Sequence, residues 1–218
     1  WIASRLCGFL INRLFSAVIT QGIEKLREAM RDNTVVLLPM HRSHLDEILL
    51  DLKLYEADVI PPVIAAGFNL DVWPFGFLIR SLGGYFVKRD ARQDRIHALV
   101  LKRYVTYLVK RGHLQEFFIE GGRSRSGKMA HPKAGLLNII VSAYRRGTKK
   151  DILFVPVSIT YENVMEDTVF GEENTGKAKA RENLLSLLRA HDLFRKKYGE
   201  VLIKFGEPLS LSRFERDF

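Results

Sequence analysis

His41 and Asp46, five residues apart in HRSHLDEILL, are the first side chains in this sequence able to do acid–base chemistry together. A carboxylate bonded to one imidazole nitrogen fixes the tautomer and stabilises the imidazolium, leaving the other nitrogen to take a proton from a hydroxyl. Ser43 stands where it can cap a following helix, and Asp46, three residues on, completes an acidic variant of a capping box. Two readings are therefore open, a catalytic pair or a helix cap beside a loop histidine. A metal reading of His41, His44 and Asp46 finds little support, because His97, His113, His131 and His191 are scattered singly and Cys7 is alone. No metal is expected.

A second constellation is FFIEGGRSRSGKMAHPKAG, starting at Phe117. Gly121, Gly122 and Gly127 let the backbone turn tightly and approach a ligand, and Arg123, Arg125, Lys128 and Lys133 crowd cations into one loop, as a phosphate site requires. Residues 122–128 also satisfy the first seven positions of the nucleotide-binding pattern GxxxxGK followed by Ser or Thr. Against that pattern, Met129 stands where a hydroxyl should hold magnesium, and Pro132 interrupts the helix that should open at Lys128. GGYFVKRDARQDR adds two more cations, Lys88 and Arg89.

The elements that must position these residues follow from periodicity. VVLLP at 35–39, PVIAA at 62–66, GYFVK at 84–88, EFFIE at 116–120, ILFVPVSI at 152–159 and VLIKF at 201–205 read as buried strands. Between two of them, Ile96, Leu99, Val100, Tyr104, Tyr107 and Leu108 recur at helical spacing, opposite Arg95, Lys102, Arg103 and Lys110. Alternation of strand and helix predicts an α/β fold whose mostly parallel central sheet of about six or more strands is flanked by helices. His41, Arg89 and the 123–128 loop each follow a strand, so all three converge on one edge of such a sheet.

Residues 1–33 read as an N-terminal amphipathic helical segment and 34–218 as the main α/β domain. On a helical wheel Arg5, Asn12, Arg13, Ser16 and Thr20 share a sector away from Leu6, Leu10, Ile11, Leu14, Phe15 and Val18, which fits either a membrane interface or packing on the chain's own domain. The VWPFGFLI run at 72–79 suits an acyl chain, a lipid surface or the core. A long loop is expected from Glu162 to about Lys177.

With 218 residues and 47% hydrophobic content the chain can bury one sizeable core, and its lone cysteine excludes an intrachain disulfide and favours a reducing compartment. A net charge of +9 calls for an anionic partner. No uncharged apolar run reaches the roughly 18 residues a membrane span needs. The chain starts at Trp1 and reads as a segment of something longer.

In this order, the three motifs resemble those of the acyltransferases of glycerolipid synthesis, in particular the glycerol-3-phosphate and dihydroxyacetone-phosphate acyltransferase branch. That family's first block is a His and an Asp separated by four residues, met by His41 and Asp46. The next block, a glycine followed by aromatic or branched residues and a closing Arg, is similar to GGYFVKR, ending at Arg89. The third block is met by Phe118, Glu120, Gly121 and Arg123, and the fourth is similar to ILFVPVSI around Pro156. GEPLSL at 206–211 is also similar, so the resemblance runs from about residue 30 to about 212. Tyr85 departs from the commoner aliphatic residue. EGGRSRSGK replaces the EGTRS of lysophosphatidate acyltransferases, which points toward a small phosphorylated triol or ketone as acceptor.

The resemblance implies that His41 deprotonates the primary hydroxyl of glycerol 3-phosphate, which attacks an acyl thioester to give lysophosphatidate, with Asp46 orienting His41. It assigns the phosphate to Arg89, Arg123, Arg125 and Lys128, and supporting roles to Ser43, Lys88, Glu120, Gly121, Gly122 and Pro156. No cofactor is implied beyond acyl-CoA or acyl carrier protein as cosubstrate. The implied setting is an anionic membrane surface, peripheral and cytosol-facing, on a bacterial inner membrane or an organelle, with no nucleic acid as partner. Dihydroxyacetone phosphate or lysophosphatidate are alternative acceptors. A nucleotide-binding phosphotransferase and a non-catalytic binder of RNA or acidic membrane are the rival classes.

Overall fold

Alternate residues of the longest apolar strands go to opposite faces of one sheet, and each face is covered by helices. The computed structural model describes residues 2–43, 45–73, 75–88, 94–123, 130–163 and 197–217. Among them are strands β1 Ala17–Gln21, β2 Thr34–Pro39, β3 Val63–Gly67, β4 Tyr85–Val87, β5 Gln115–Glu116, β6 Ile152–Tyr161, β7 Glu200–Phe205 and β8 Leu209–Ser210. The helices among the described residues are α1 Ile2–Leu14, α2 Ile23–Asp32, α3 Asp46–Glu56, α4 Phe75–Ser81, α5 Arg95–Arg111, α6 Gly135–Arg145 and α7 Leu211–Asp217, with a 3-10 turn at Phe68–Leu70. His44, Arg89, Arg125, Lys128 and His191 lie outside the described residues, as does most of the long loop expected after Glu162.

The sheet order is β1-β7-β6-β2-β5-β3-β4, with β8 beside β6. All neighbours are parallel except β6 with β7 and β6 with β8, so the expected mostly parallel α/β architecture is found. In β2, Val35 and Leu37 join one core with Ile11, Leu26, Leu49 and Leu50 of α1 to α3, whereas Val36 joins the other with Val105, Val109 and Ile140 of α5 and α6. β6 repeats the division, with Val155, Val157 and Ile159 on the first face and Ile152 and Phe154 on the opposite one.

Three details differ from the sequence expectation. The N-terminal helix ends at Leu14 instead of running to Thr20, because Ser16 N–H donates to Gly199 O at 2.8 Å and the chain then pairs with β7 from Ala17 to Gln21. Of the EFFIE run only Glu116 is strand, joined by the preceding Gln115, since neither neighbour offers a ladder beyond Glu116. On α5 the buried stripe is Leu101, Val105, Leu108 and Val109, while Ile96, Leu99, Val100, Tyr104 and Tyr107 face outward. That helix carries two apolar stripes, and the sheet takes the one free of the cations Arg95, Lys102, Arg103 and Lys110.

Because β2, β3, β4 and β5 are parallel, the segments after them share one edge. His41 follows β2, the 3-10 turn follows β3, Lys88 follows β4, and Phe117 through Arg123 follow β5.

Candidate active site

The loop after β2 is organised around one carboxylate. Asp46, the first residue of α3, is fully buried, and its Oδ2 accepts from the backbone N–H groups of Arg42 at 2.6 Å and Ser43 at 2.9 Å. Its Oδ1 accepts from the Tyr161 hydroxyl at 2.5 Å, across from β6. His41 Nδ1 lies 3.0 Å from Oδ2. A carboxylate only accepts, so Nδ1 carries the proton and Nε2 presents its lone pair. Nε2 has no partner among the described residues, and the imidazole stacks on Phe118 with centroids 3.9 Å apart. The expected Ser43 cap is only half formed: Asp46 reaches back to Ser43 N–H, but Leu45 is the N-cap of α3 with no side-chain cap bond, and Ser43 Oγ accepts from Leu45 N–H at 3.2 Å instead.

His41 lines a cavity of about 440 Å³ at the carboxyl edge of the sheet, a size ordinary for a small-molecule site. Its apolar wall includes Ala65, Leu70, Val87, Leu101, Leu136 and Ile139; its polar lining is His41, Glu47, Asn69, Lys88, Arg123 and Lys133. Gly121 and Gly122 complete the rim. Gly121 has φ 64°, and a Cβ there would stand 2.6 Å from Lys133 Cδ, so glycine is required for both conformation and close approach. The loop's ends are pinned: Ala130 N–H donates to buried Glu120 Oε2 at 2.7 Å, and Lys133 N–H to Ile119 O at 2.7 Å.

Among the sequence-predicted residues, then, the structure gathers His41, Asp46, Lys88, Gly121, Gly122 and Arg123 in or against the cavity, with Ser43 and Glu120 shaping its loops. Pro156 lies on β6, paired in register with Leu38, and does not line it. The Lys88 ammonium is engaged by Asp94 at 2.6 Å, which in turn caps α5 by accepting from His97 N–H. Hydrogen bonding from Lys88, then from His97, holds the Asp94 carboxyl below its usual range. α6 begins only at Gly135, and residues 130–134 carry no helix, so the described residues after the cation-rich segment do not form the continuous helix that a nucleotide-binding loop leads into. Cys7, on α1, does not line the cavity, and burial followed by the nearby Asp51 charge pushes its thiol up, away from the reactive thiolate.

Sequence reasoning missed Tyr161, Glu47 and the placement of Lys133. Tyr161 lies 115 positions from Asp46, beyond any local pattern. Lys133 was visible as part of the cation-rich loop, and Glu47 only as the neighbour of Asp46. Behind Glu47 are two further acids. Burial, then the Glu47 charge, raises Asp51 to about 7. Glu116 is wholly buried on β5, lacks a hydrogen-bond partner at either oxygen, and is pushed well up by burial and then by Asp51, Glu47 and Asp46.

The family model described as Acyltransferase matches residues 17–160, and that described as Glycerol-3-phosphate acyltransferase C-terminal region matches residues 171–217. The chain is similar to the glycerol-3-phosphate acyltransferase of Xanthomonas campestris pv. campestris, with 39% identity over 96% of this chain and 24% of that protein. It is also similar to that of Actinobacillus succinogenes, with 37% identity over 98% of this chain and 26% of that protein. It therefore spans about a quarter of the length of these curated relatives. The crystal structure of the 1-acyl-sn-glycerophosphate acyltransferase from Thermotoga maritima shares the fold, with a TM-score of 0.53 and 24% identity, covering 89% of this chain and 61% of that one. With the first model spanning well over half of its residues, the chain belongs to the acyltransferase family.

Proposed function

We propose that this chain transfers a fatty acyl group from an acyl thioester, acyl-CoA or acyl carrier protein, to the primary hydroxyl of glycerol 3-phosphate. The observation that carries the reading is the His41–Asp46 pair, with Nδ1 committed to the carboxylate and Nε2 without a partner among the described residues, in a cavity that Arg123 and Lys133 also line. The names of the relatives, glycerol-3-phosphate acyltransferases, support the same acceptor.

In this mechanism His41 Nε2 takes the hydroxyl proton as the oxygen attacks the thioester carbonyl. The tetrahedral intermediate collapses, the carbon–sulfur bond breaks, and the departing thiolate recovers the proton from the imidazolium. Asp46 balances the transient charge on His41. Base catalysis of this kind supplies about 10²- to 10⁴-fold. Much of the remainder comes from positioning, with Arg123, joined by Arg89, Arg125 and Lys128, gripping the phosphate. The apolar wall of the cavity receives the start of the acyl chain.

The same reading seats the chain peripherally on an anionic, cytosol-facing membrane surface. In support, Trp73 is 89% exposed and Phe77 of α4 is exposed, and on α5 Ile96, Leu99 and Val100 are exposed along with the cations Lys102 and Arg103. Among the described residues no helix is long and apolar enough to cross a membrane.

The test supplies the full chain with a labelled long-chain acyl-CoA or acyl carrier protein and, in turn, glycerol 3-phosphate, dihydroxyacetone phosphate and lysophosphatidate. Lysophosphatidate formed from the first acceptor, identified by mass, is expected. Transfer to none of them, or magnesium-dependent ATP binding without transfer, would overturn the reading.

A further inference from the structure

The acceptor has three polar parts, and the mechanism above accounts for two of them: the phosphate on the cations and the reacting hydroxyl at His41 Nε2. The third, the hydroxyl on the middle carbon of glycerol 3-phosphate, is adjacent to the reacting one. Like any hydroxyl it both donates and accepts, and the bond it donates needs an acceptor beside His41.

The cavity's polar lining narrows the choice. Arg123, Lys133 and Lys88 only donate, and Lys88 is already engaged by Asp94 at 2.6 Å. The Asn69 Oδ1 folds back over Gly67, where it stands 2.6 Å from the position a Cβ would take. Glu47 remains. It is the one carboxyl among the cavity-lining residues, follows Asp46 in the first turn of α3, and has no hydrogen-bond or ion-pair partner among the described residues. We propose that Glu47 is a specificity-determining residue that accepts a hydrogen bond from the acceptor's non-reacting hydroxyl, so that the site selects a phosphorylated vicinal diol. This rests on the acyl-transfer reading and deepens it by naming the feature of the acceptor that the site reads.

The surroundings of Glu47 agree with such a role. Burial pushes its carboxyl up, the nearby His41 pulls it down, and Asp46 pushes it up again, as expected of a polar group held at a cavity wall with its hydrogen-bonding capacity unspent. Asp51 and Glu116 lie behind it, so the protein itself offers a neighbouring acid where a cation would have relieved the site. A hydroxyl from the acceptor is the kind of donor that relieves it.

The experiment compares glycerol 3-phosphate with 3-hydroxypropyl phosphate, which keeps the phosphate and the primary hydroxyl and lacks the middle one. The full chain is assayed as wild type, Glu47→Leu and Glu47→Gln. Wild type is expected to favour glycerol 3-phosphate by about 10- to 100-fold in kcat/KM, the usual worth of a hydrogen bond to a charged group. Glu47→Leu should bring the preference to within roughly threefold by losing activity on glycerol 3-phosphate alone, and Glu47→Gln, whose amide oxygen still accepts, should retain part of it. A preference unchanged in Glu47→Leu would overturn the proposal. So would an equal loss on both acceptors with a shifted pH–rate profile, which would mean that Glu47 acts through the charge of His41. Should the wild type acylate neither acceptor, the acyl-transfer reading falls and takes the proposal with it, an outcome distinct from an active wild type with unchanged preference.

Discussion

Asp46 is the most heavily bonded side chain of the site, with two backbone N–H groups, the His41 ring and the Tyr161 hydroxyl around one buried carboxylate. Such a network removes rotameric freedom from the residue that must hold the base in a single tautomer. Three of those four donors come from the five residues before Asp46, which is why the pair could be read from HRSHLD alone. Tyr161 could not, because its contact is made by β6 folding beside β2. Tyr161→Phe deletes a hydrogen bond to a charged group worth about 1.5–3 kcal/mol. The thermal midpoint should then fall by roughly 3–12 °C, at 2–4 °C per kcal/mol for a chain of this size. Acyl transfer should lose kcat while the acceptor KM holds, since the base and not the phosphate grip is disturbed. Unchanged kcat and midpoint in calorimetry and steady-state kinetics would mean that the hydroxyl does not matter to Asp46.

Elements whose partners lie close in pattern were legible, and those defined by distant partners were not. The apolar runs that became β2, β3, β4, β6 and β7 are dominated by branched and aromatic residues that have few other uses. β1 escaped notice because AVITQ continues the helical wheel of the preceding residues, and only its pairing with β7 ends the helix. The choice of face on α5 failed for a related reason: both stripes are apolar, and which one is buried depends on where the sheet lies. The misread stripe leaves Ile96, Leu99 and Val100 outward, and Trp73 and Phe77 are exposed from the segment around α4. If these side chains meet lipid, replacing Trp73 and Phe77 with Ser should weaken binding to vesicles containing anionic phospholipid by at least roughly tenfold per side chain, from about 1.5–3 kcal/mol of apolar burial each. Cosedimentation measures this. Equal binding by the double variant and wild type would remove the surface from the membrane contact.

For the molecule as a whole, the net charge of +9 conceals a buried cluster of acids that folding keeps partly protonated. Asp51 is raised to about 7 and Glu116 well above its ordinary value, chiefly by burial, and Glu47 is raised with them. Their unfolded-state values are near 4, so above about pH 4 the folded chain holds protons the unfolded chain has released, and these groups make stability fall as pH rises through 7. Glu116→Gln removes one ionisation at nearly constant volume. Its thermal midpoint should match wild type near pH 4 and exceed it by roughly 2–8 °C near pH 8, about 1–2 kcal/mol; a gap that stays constant or closes with pH would contradict the buried-acid assignment. None of these acids draws attention in the sequence, because only the fold sets Glu116 of β5 against α3. What the sequence does carry is the order of motifs along parallel strands, and the topology turns that order into one cavity. The most direct measurement of the central claim gives the full chain, as wild type and as His41→Ala, a labelled long-chain acyl thioester with glycerol 3-phosphate and quantifies lysophosphatidate by mass. Wild type should form product, and His41→Ala, with its thermal midpoint preserved, should lose about 10²- to 10⁴-fold or more in rate; a folded His41→Ala chain that transfers acyl groups at the wild-type rate would contradict it.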